Sequence, residues 1–405
     1  MRERLTLGAA VALVSLACVA PSGAQAAPGD VYVGDLGSPG RVFRIGPGGG
    51  DATLVASGVA GFNPGTLAFT ATGTLLSGDK GGTPQVWEVD PRTGGITSFL
   101  ASPNIGNPQD VIVAPDGSIL VSDIDAGPGG SPAILRVDPV TKGVSPLASG
   151  AELEPTVRGM AAKRDGTVFV SGGDRILRIT PAGEVSELVP PDPLLAGVEG
   201  VVMTPDETTL YVAVFDSTPN QIVRVDTATG ALTPYATFTD VIELALLPDG
   251  SMLAADDSAN KVYRVAPGGG TPTIFSDDPE LDGGELAGLA VEPEPCGGKL
   301  PTIVGTTGND TLNGTELPDV ISPLGGADVI NGLGGDDVVC GSDGNDRLMG
   351  GAGRDSLFGA KGKDRLNGGA GKDRLVGGKG KDRLNGGKGK DVCKGGAGSD
   401  RESSC

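Results

Sequence analysis

Between Asp30 and Glu292 the chain is written in short runs where apolar and polar residues alternate. "RVFRIG" (41–46), "QVWEVD" (85–90), "AILRVD" (133–138), "RILRIT" (175–180), "QIVRVD" (221–226) and "KVYRVA" (261–266) recur at roughly forty-residue intervals. A period of two marks a strand with one buried face. An aspartate closes the strand before each run: Asp35, Asp79, Asp123, Asp174, Asp216 and Asp256. Ahead of that comes an apolar strand and a tight turn, as in "DVIVAPDGSILVSD" (110–123) and "IELALLPDGSMLAAD" (242–256). Asp-Gly between two alternating runs is a strong hairpin signal. Three or four short strands per unit, with no helical period between them, predict a β-propeller. The phase of the repeat predicts how it closes. "ELAGLAVEPEP" (285–295) supplies a first strand and stops, whereas "GDVYVGD" (29–35) enters at a second strand. Joining the two completes a sixth blade and leaves no open sheet edge.

From Gly308 the ruler changes to nine residues. Asp310, Asp319, Asp328, Asp337, Asp346, Asp355, Asp364, Asp373, Asp382, Asp391 and Asp400 are evenly spaced without a slip. Glycine stands two residues before each aspartate except at Leu317. An apolar residue stands two places after: Leu312, Ile321, Ile330, Val339, Leu348, Leu357, Leu366, Leu375 and Leu384, then Cys393 and finally Glu402. The glycines suit a tight turn and the apolar position a short strand with one side chain inward. If two units make one coil, the aspartates fall into two columns. One holds Asp310, Asp328, Asp346, Asp364, Asp382 and Asp400; the other holds Asp319, Asp337, Asp355, Asp373 and Asp391.

These residues carry two resemblances. The spacing is similar to the GGxGxDxUx unit of RTX, or haemolysin-type, calcium-binding repeats, over about the last hundred residues. The resemblance implies a parallel β-roll with Ca2+ between successive turns, and it makes all eleven aspartates candidate metal residues. Residues 30–292 resemble the NHL, SMP-30 and YVTN-like propellers, a likeness that implies a fold and leaves the activity open. The overall expectation is an all-β protein: a signal peptide (1–26), a six-bladed propeller (27–291), a linker (292–304) and a calcium-binding roll (305–405).

Charge separates the roll into halves. Residues 305–346 hold eight acidic groups and no basic one, whereas 347–405 hold seven acidic and fourteen basic. Lys363, Lys372, Lys381 and Lys390 directly precede column aspartates, and Arg365, Arg374 and Arg383 directly follow them. Graded calcium binding is therefore expected, tighter near 308–346 and weaker or absent beyond about 360, because each ammonium adds screened repulsion. Neutralisation of the late column by protein cations is the alternative.

The remaining composition mostly excludes. Histidine is absent, which removes Ser-His-Asp and Cys-His catalysis and histidine zinc sites. A net charge of -20 excludes a nucleic-acid partner as the expectation, since the chain repels phosphate. "MRERLTLGAAVALVSLACVAPSGAQA" has a basic start, an apolar run and a small-x-small cleavage site, so export and a soluble, secreted product are expected. Ser15-Leu16-Ala17 before Cys18 is a poor lipoprotein match, and no membrane span is expected elsewhere. Cys296, Cys340, Cys393 and Cys405 form an even set with three possible pairings. Cys296–Cys340 and Cys393–Cys405 are favoured, each stapling one end of the roll.

Asp110, Glu199, Glu243 and Glu285 read as residues just before the first strands of their blades, with Arg158 in the equivalent place of another. They would crowd one mouth of the propeller channel. The favoured reading is an exported, non-enzymatic calcium-binding protein whose propeller takes an extracellular polymer or protein ligand. One rival makes the propeller a metal-dependent lactonase-type hydrolase or lyase. Against it, no asparagine pair in register and no glutamate motif of the SMP-30 enzymes is present. Another rival makes the basic late repeats an adhesive surface for an acidic cell-wall polymer.

Overall fold

The computed structural model describes residues 29–405 apart from 38, 80–83, 154, 216–218 and 283. The leader and Asp216 lie outside the described residues. Among the described residues, twenty-four strands form six four-stranded antiparallel sheets, the blades of a propeller. Successive blades meet through strand faces rich in Val, Ile and Leu. Leu210, Val212 and Val214 of one blade, for example, pack with Phe169 and Ile176 of the one before.

Closure occurs where the repeat phase requires it. Strand Leu286–Val291 is innermost in a blade completed by Val31–Asp35, Arg41–Ile45 and Ala52–Ser57. It pairs antiparallel with Val31–Asp35, Val31 opposite Val291. The Tyr32 hydroxyl donates to Glu292 across this seam at 3.0 Å. Ladder hydrogen bonds and a buried Val31, Tyr32 and Val33 thus tie both ends of the propeller in one sheet.

The aspartates that close second strands are structural. Asp123 accepts backbone N–H groups from Gly106, Asn107 and Asp125 at 2.8–2.9 Å. Asp256 does the same for Thr239, Asp240 and Ala259. Asp35 accepts from Gly37 and pairs with Arg41. Asp79 accepts the indole N–H of Trp87 at 2.9 Å. Asp174 is exposed.

The C-terminal domain is a parallel solenoid of two six-stranded sheets. Each strand pairs with the one eighteen residues on, as in Leu348↔Leu366 and Leu366↔Leu384. Two nine-residue units therefore make one coil. The inward residues Leu312, Ile321, Ile330, Val339, Leu348, Leu357, Leu366, Leu375 and Leu384 stack into one buried column. Strand Ile303–Val304, within the segment expected to be linker, pairs with Ile321–Ser322 and starts the first sheet.

Disulfides join Cys296 to Cys340 and Cys393 to Cys405, with Cα separations of 5.8 and 5.7 Å. The first clamps the chain ahead of the roll against one sheet, and the second staples the last coil. The first coil rests on the propeller face that carries the Asp-Gly turns, where Thr307 N–H donates to Pro248 O. Among the described residues no helix is long and apolar enough to cross a membrane.

Candidate metal centre

The nine-residue unit fixes where each aspartate goes. Its side chain turns inward at the end of the glycine turn, one residue before the strand begins. In the coil, Oδ1 accepts the backbone N–H of the aspartate one coil earlier. Asp310 N–H donates to Asp328 Oδ1 at 2.8 Å, Asp328 N–H to Asp346, Asp346 N–H to Asp364, Asp364 N–H to Asp382 and Asp382 N–H to Asp400. The second column repeats this through Asp319, Asp337, Asp355, Asp373 and Asp391. The eleven aspartates thus stand in two rows along opposite edges of the roll.

The second carboxylate oxygen behaves differently. Oδ2 of Asp328, Asp337, Asp346, Asp355, Asp364, Asp373, Asp382 and Asp391 is buried and has no hydrogen-bond partner. Asp319 through Asp382 are each only 1 % exposed at the residue level. A buried polar atom without a partner costs about 1–3 kcal/mol, and more when charged. Stacking eight of them would be a serious defect in a finished structure.

The cost is visible in the titration of the row. Burial, aided by the neighbouring Asp355, Asp319 and Asp336 carboxylates, pushes Asp337 up to about 7 against the N–H bond from Asp319. Asp346 is likewise pushed up to about 7 by burial, with Asp364 and Asp328 adding to it. Burial also raises Asp328, Asp355 and Asp364 to about 6. It raises Asp373 and Asp382 in the same direction.

Glycine at the start of the turn keeps space beside these oxygens. A Cβ placed on Gly332 would lie 2.2 Å from Asp337 Oδ2 and 2.5 Å from the carbonyl oxygen of Gly350 in the next coil. Gly359 meets Asp364 Oδ2 and Gly377 O in the same way, both at 2.5 Å. Each turn therefore gathers a carboxylate oxygen and a backbone carbonyl from the adjacent coil. Oxygen-only donors of this kind suit Ca2+, which accepts carboxylates and carbonyls in a flexible shell. Among the described residues no three His, Cys, Asp or Glu side chains converge on one point. The ion's shell has to be completed by backbone carbonyls.

The ends of the rows are closed by protein groups. Thr306 donates its N–H at 2.7 Å and its hydroxyl at 3.1 Å to Asp310 Oδ2. Thr315 does the same for Asp319 Oδ2, at 2.6 and 3.0 Å. The sequence marks these two turns, since Thr replaces the second glycine of the unit. Both residues nonetheless belonged to the expected metal set.

The lysines of the late repeats do not reach the rows. Lys363, Lys372, Lys381 and Lys390 are exposed at the turn edges, whereas Asp364, Asp373 and Asp382 are buried. Within the roll the one ion pair among described residues joins Lys361 to Asp343 at the surface. Neutralisation of the late row by lysine is therefore corrected. The unpartnered oxygens continue to Asp391, because each lysine points away from the coil axis while its neighbour points inward.

Three of the four carboxylates expected at the propeller mouth already have partners. Asp110, Glu199 and Glu243 lie inside the strands Pro108–Val113, Val198–Met203 and Val241–Leu246, not ahead of them. A bulge near each strand start sets the local pairing. Glu199 pairs with Arg158 at 2.7 Å. Asp110 Oδ2 accepts the N–H of Met160, and Glu243 Oε1 that of Leu244. Burial and the neighbouring Glu285 raise Asp257 to about 6, while its Oδ1 accepts Leu286 N–H.

The geometry of the roll agrees with a family comparison. Four copies of the RTX calcium-binding nonapeptide repeat match residues 302–316, 315–348, 340–375 and 368–402. No curated protein matches the chain. Among solved structures, a protein of unknown function from Bacteroides caccae is 16 % identical, with a TM-score of 0.51 over 66 % of this chain and 100 % of that one. A nidogen/laminin complex matches at 13 % identity and a TM-score of 0.53, covering 66 % and 99 %. A streptogramin B lyase matches at 17 % identity and a TM-score of 0.42, covering 61 % and 73 %. At these identities the likeness is one of fold. The chain joins a six-bladed β-propeller to a C-terminal run of RTX calcium-binding nonapeptide repeats.

Proposed function

We propose that this is an exported protein whose roll is completed by calcium and whose propeller is a scaffold for an extracellular ligand. The observation that carries the calcium reading is the row of eight buried carboxylate oxygens without partners. Bound Ca2+ would supply positive charge between successive same-side turns. Asp328, Asp337, Asp346, Asp355, Asp364, Asp373, Asp382 and Asp391 would hold it through Oδ2, with glycine carbonyls of the adjacent coils. Asp400, at the open end, would close its row. Asp310 and Asp319 would serve mainly as capped ends, given their threonine partners.

Folding and binding are then one event. The rows exist only when coils stack, so the unfolded chain holds no such site. Calcium scarce inside a cell and plentiful outside would delay stacking until export. The leader pattern supports this route, as do the two disulfides, which persist in oxidising compartments. For the propeller a scaffold role is favoured over metal-dependent hydrolase or lyase chemistry, because Glu199 already holds Arg158, and Asp110 and Glu243 already hold backbone N–H groups.

Circular dichroism and calorimetry of the full chain, in chelator and in millimolar calcium or magnesium, test the proposal. Calcium should add β-structure and a second, calcium-dependent transition; magnesium should not. Identical melting in chelator and calcium would sink it.

A further inference from the structure

The two outer faces of the roll differ. On one, Cys296 packs with Val320, Val338, Cys340 and Phe358, so the segment ahead of the roll covers its early strands. On the other, the residue following each column aspartate faces outward from an open sheet. Those positions are Thr311, Val329, Arg347, Arg365, Arg383 and Arg401, each opposite the next in register. Four arginines therefore stack at strand spacing, about 4.8 Å per step. All four are exposed, and no ion pair links them to a described residue.

Beside them runs a column of Met349, Asn367, Asn385 and Ser403. Asn385 Nδ2 donates to Asn367 Oδ1 at 2.9 Å, and Ser403 Oγ to Asn385 Oδ1 at 3.3 Å. The two columns line an open groove of about 910 Å³, with Asp400 and Glu402 at its far end.

Like charges directly opposite on a sheet are destabilising. The fold does not demand them, since the equivalent positions on the other sheet are Val320, Val338, Ser356, Arg374 and Val392. An external anion is the missing partner. We propose that this arginine ladder binds a linear acidic polysaccharide, a chain of uronic-acid sugars laid along the roll axis.

Guanidinium forks take carboxylates bidentately. The ladder step is close to the length of one pyranose ring, so carboxylates one or two sugars apart meet arginines one or two coils apart. The amide and hydroxyl column offers partners for ring hydroxyls. Nucleic acid fits less well. A duplex strand advances about 3.4 Å per phosphate along its axis while winding away from a sheet face, so its phosphates do not keep step with the ladder, and the groove has no aromatic lining residue on which bases would stack. The face needs stacked coils; its calcium dependence rests on the reading proposed above.

The test is calorimetric binding of a short oligogalacturonate, long enough to span the four arginines, to the full chain in constant millimolar calcium. The double variant Arg365→Gln/Arg383→Gln should bind at least about tenfold more weakly. The turn-edge double variant Lys372→Gln/Lys390→Gln removes the same charge and should stay within about threefold. Circular dichroism of both should match the parent. Equal weakening in both variants overturns the proposal, as does equal binding of the methyl-esterified oligomer. Displacement of the uronate by an oligodeoxythymidylate of equal charge assigns the face to nucleic acid instead and also overturns it. If the chain folds and binds fully in chelator, the calcium reading fails while the ladder stands.

Discussion

Asp346 lies in mid-column, and its replacement by asparagine opposes two effects. Its Oδ1 accepts Asp328 N–H at 2.9 Å, and an asparagine carbonyl can keep that bond. Its unpartnered Oδ2 becomes an amide nitrogen, able to donate toward a glycine carbonyl. At strand spacing, each of the two neighbouring carboxylates repels it by about 3.5 kcal/mol at an effective dielectric of about 20. Proton uptake already relieves much of this near neutrality, because burial pushes Asp346 up to about 7. The net gain from Asp346→Asn in the calcium-free chain is then about 2 kcal/mol, on the order of half of one neighbour's repulsion. For a domain of about a hundred residues that raises Tm by about 8 °C or more. In calcium the same change removes an anionic ligand, so the calcium-induced rise in Tm should shrink. Differential scanning calorimetry of the full chain, slightly above neutral pH, reads both effects. If Asp346→Asn lowers Tm equally in chelator and in calcium, the rows are a hydrogen-bonding scaffold, and the argument from repulsion is wrong.

Other consequences can be checked on the same protein. The column aspartates hold protons in the folded, calcium-free roll that the unfolded chain releases, since Asp328, Asp355 and Asp364 sit at about 6 and Asp337 at about 7. Stability of the calcium-free roll should be fully present below the ordinary aspartate range and fall as pH rises through 6 to 7; circular dichroism in chelator across that window shows the sign. Loss of the Cys296–Cys340 bridge, which spans 44 residues, should cost about 4 kcal/mol, and loss of Cys393–Cys405, spanning 12, about 3 kcal/mol. Calcium-bound melts of the two Cys→Ser pairs rank them. Trp87→Phe removes a donor to buried Asp79 and should destabilise the propeller by about 1–3 kcal/mol, leaving the calcium-dependent transition in place.

Much of the architecture is legible along the chain because it repeats. A period of about forty with Asp-Gly turns fixes blades. The mismatch between "ELAGLAV" at 285–291 and "VYVGD" at 31–35 already contains the closure seen between Leu286–Val291 and Val31–Asp35. The nine-residue spacing likewise places every inward side chain, since each position recurs in the same environment. The disulfides are less determined: four cysteines allow three pairings, and only the packing of Cys296 against Val338 and Phe358 shows the first as a clamp on a sheet face.

The sequence by itself determined that eleven aspartates keep phase and that basic residues crowd the later units. It could not say which atoms those charges meet. Lys372 and Asp373 are neighbours in the chain, yet one faces solvent and the other the coil, because successive side chains leave an extended backbone on opposite sides. Only stacking showed that, in eight of these carboxylates, one oxygen is spent on the previous coil's N–H while the other is left bare. Only stacking, too, separated arginine from lysine. Residues eighteen apart become neighbours in the parallel ladder, so arginines scattered through the sequence merge into one column on one face.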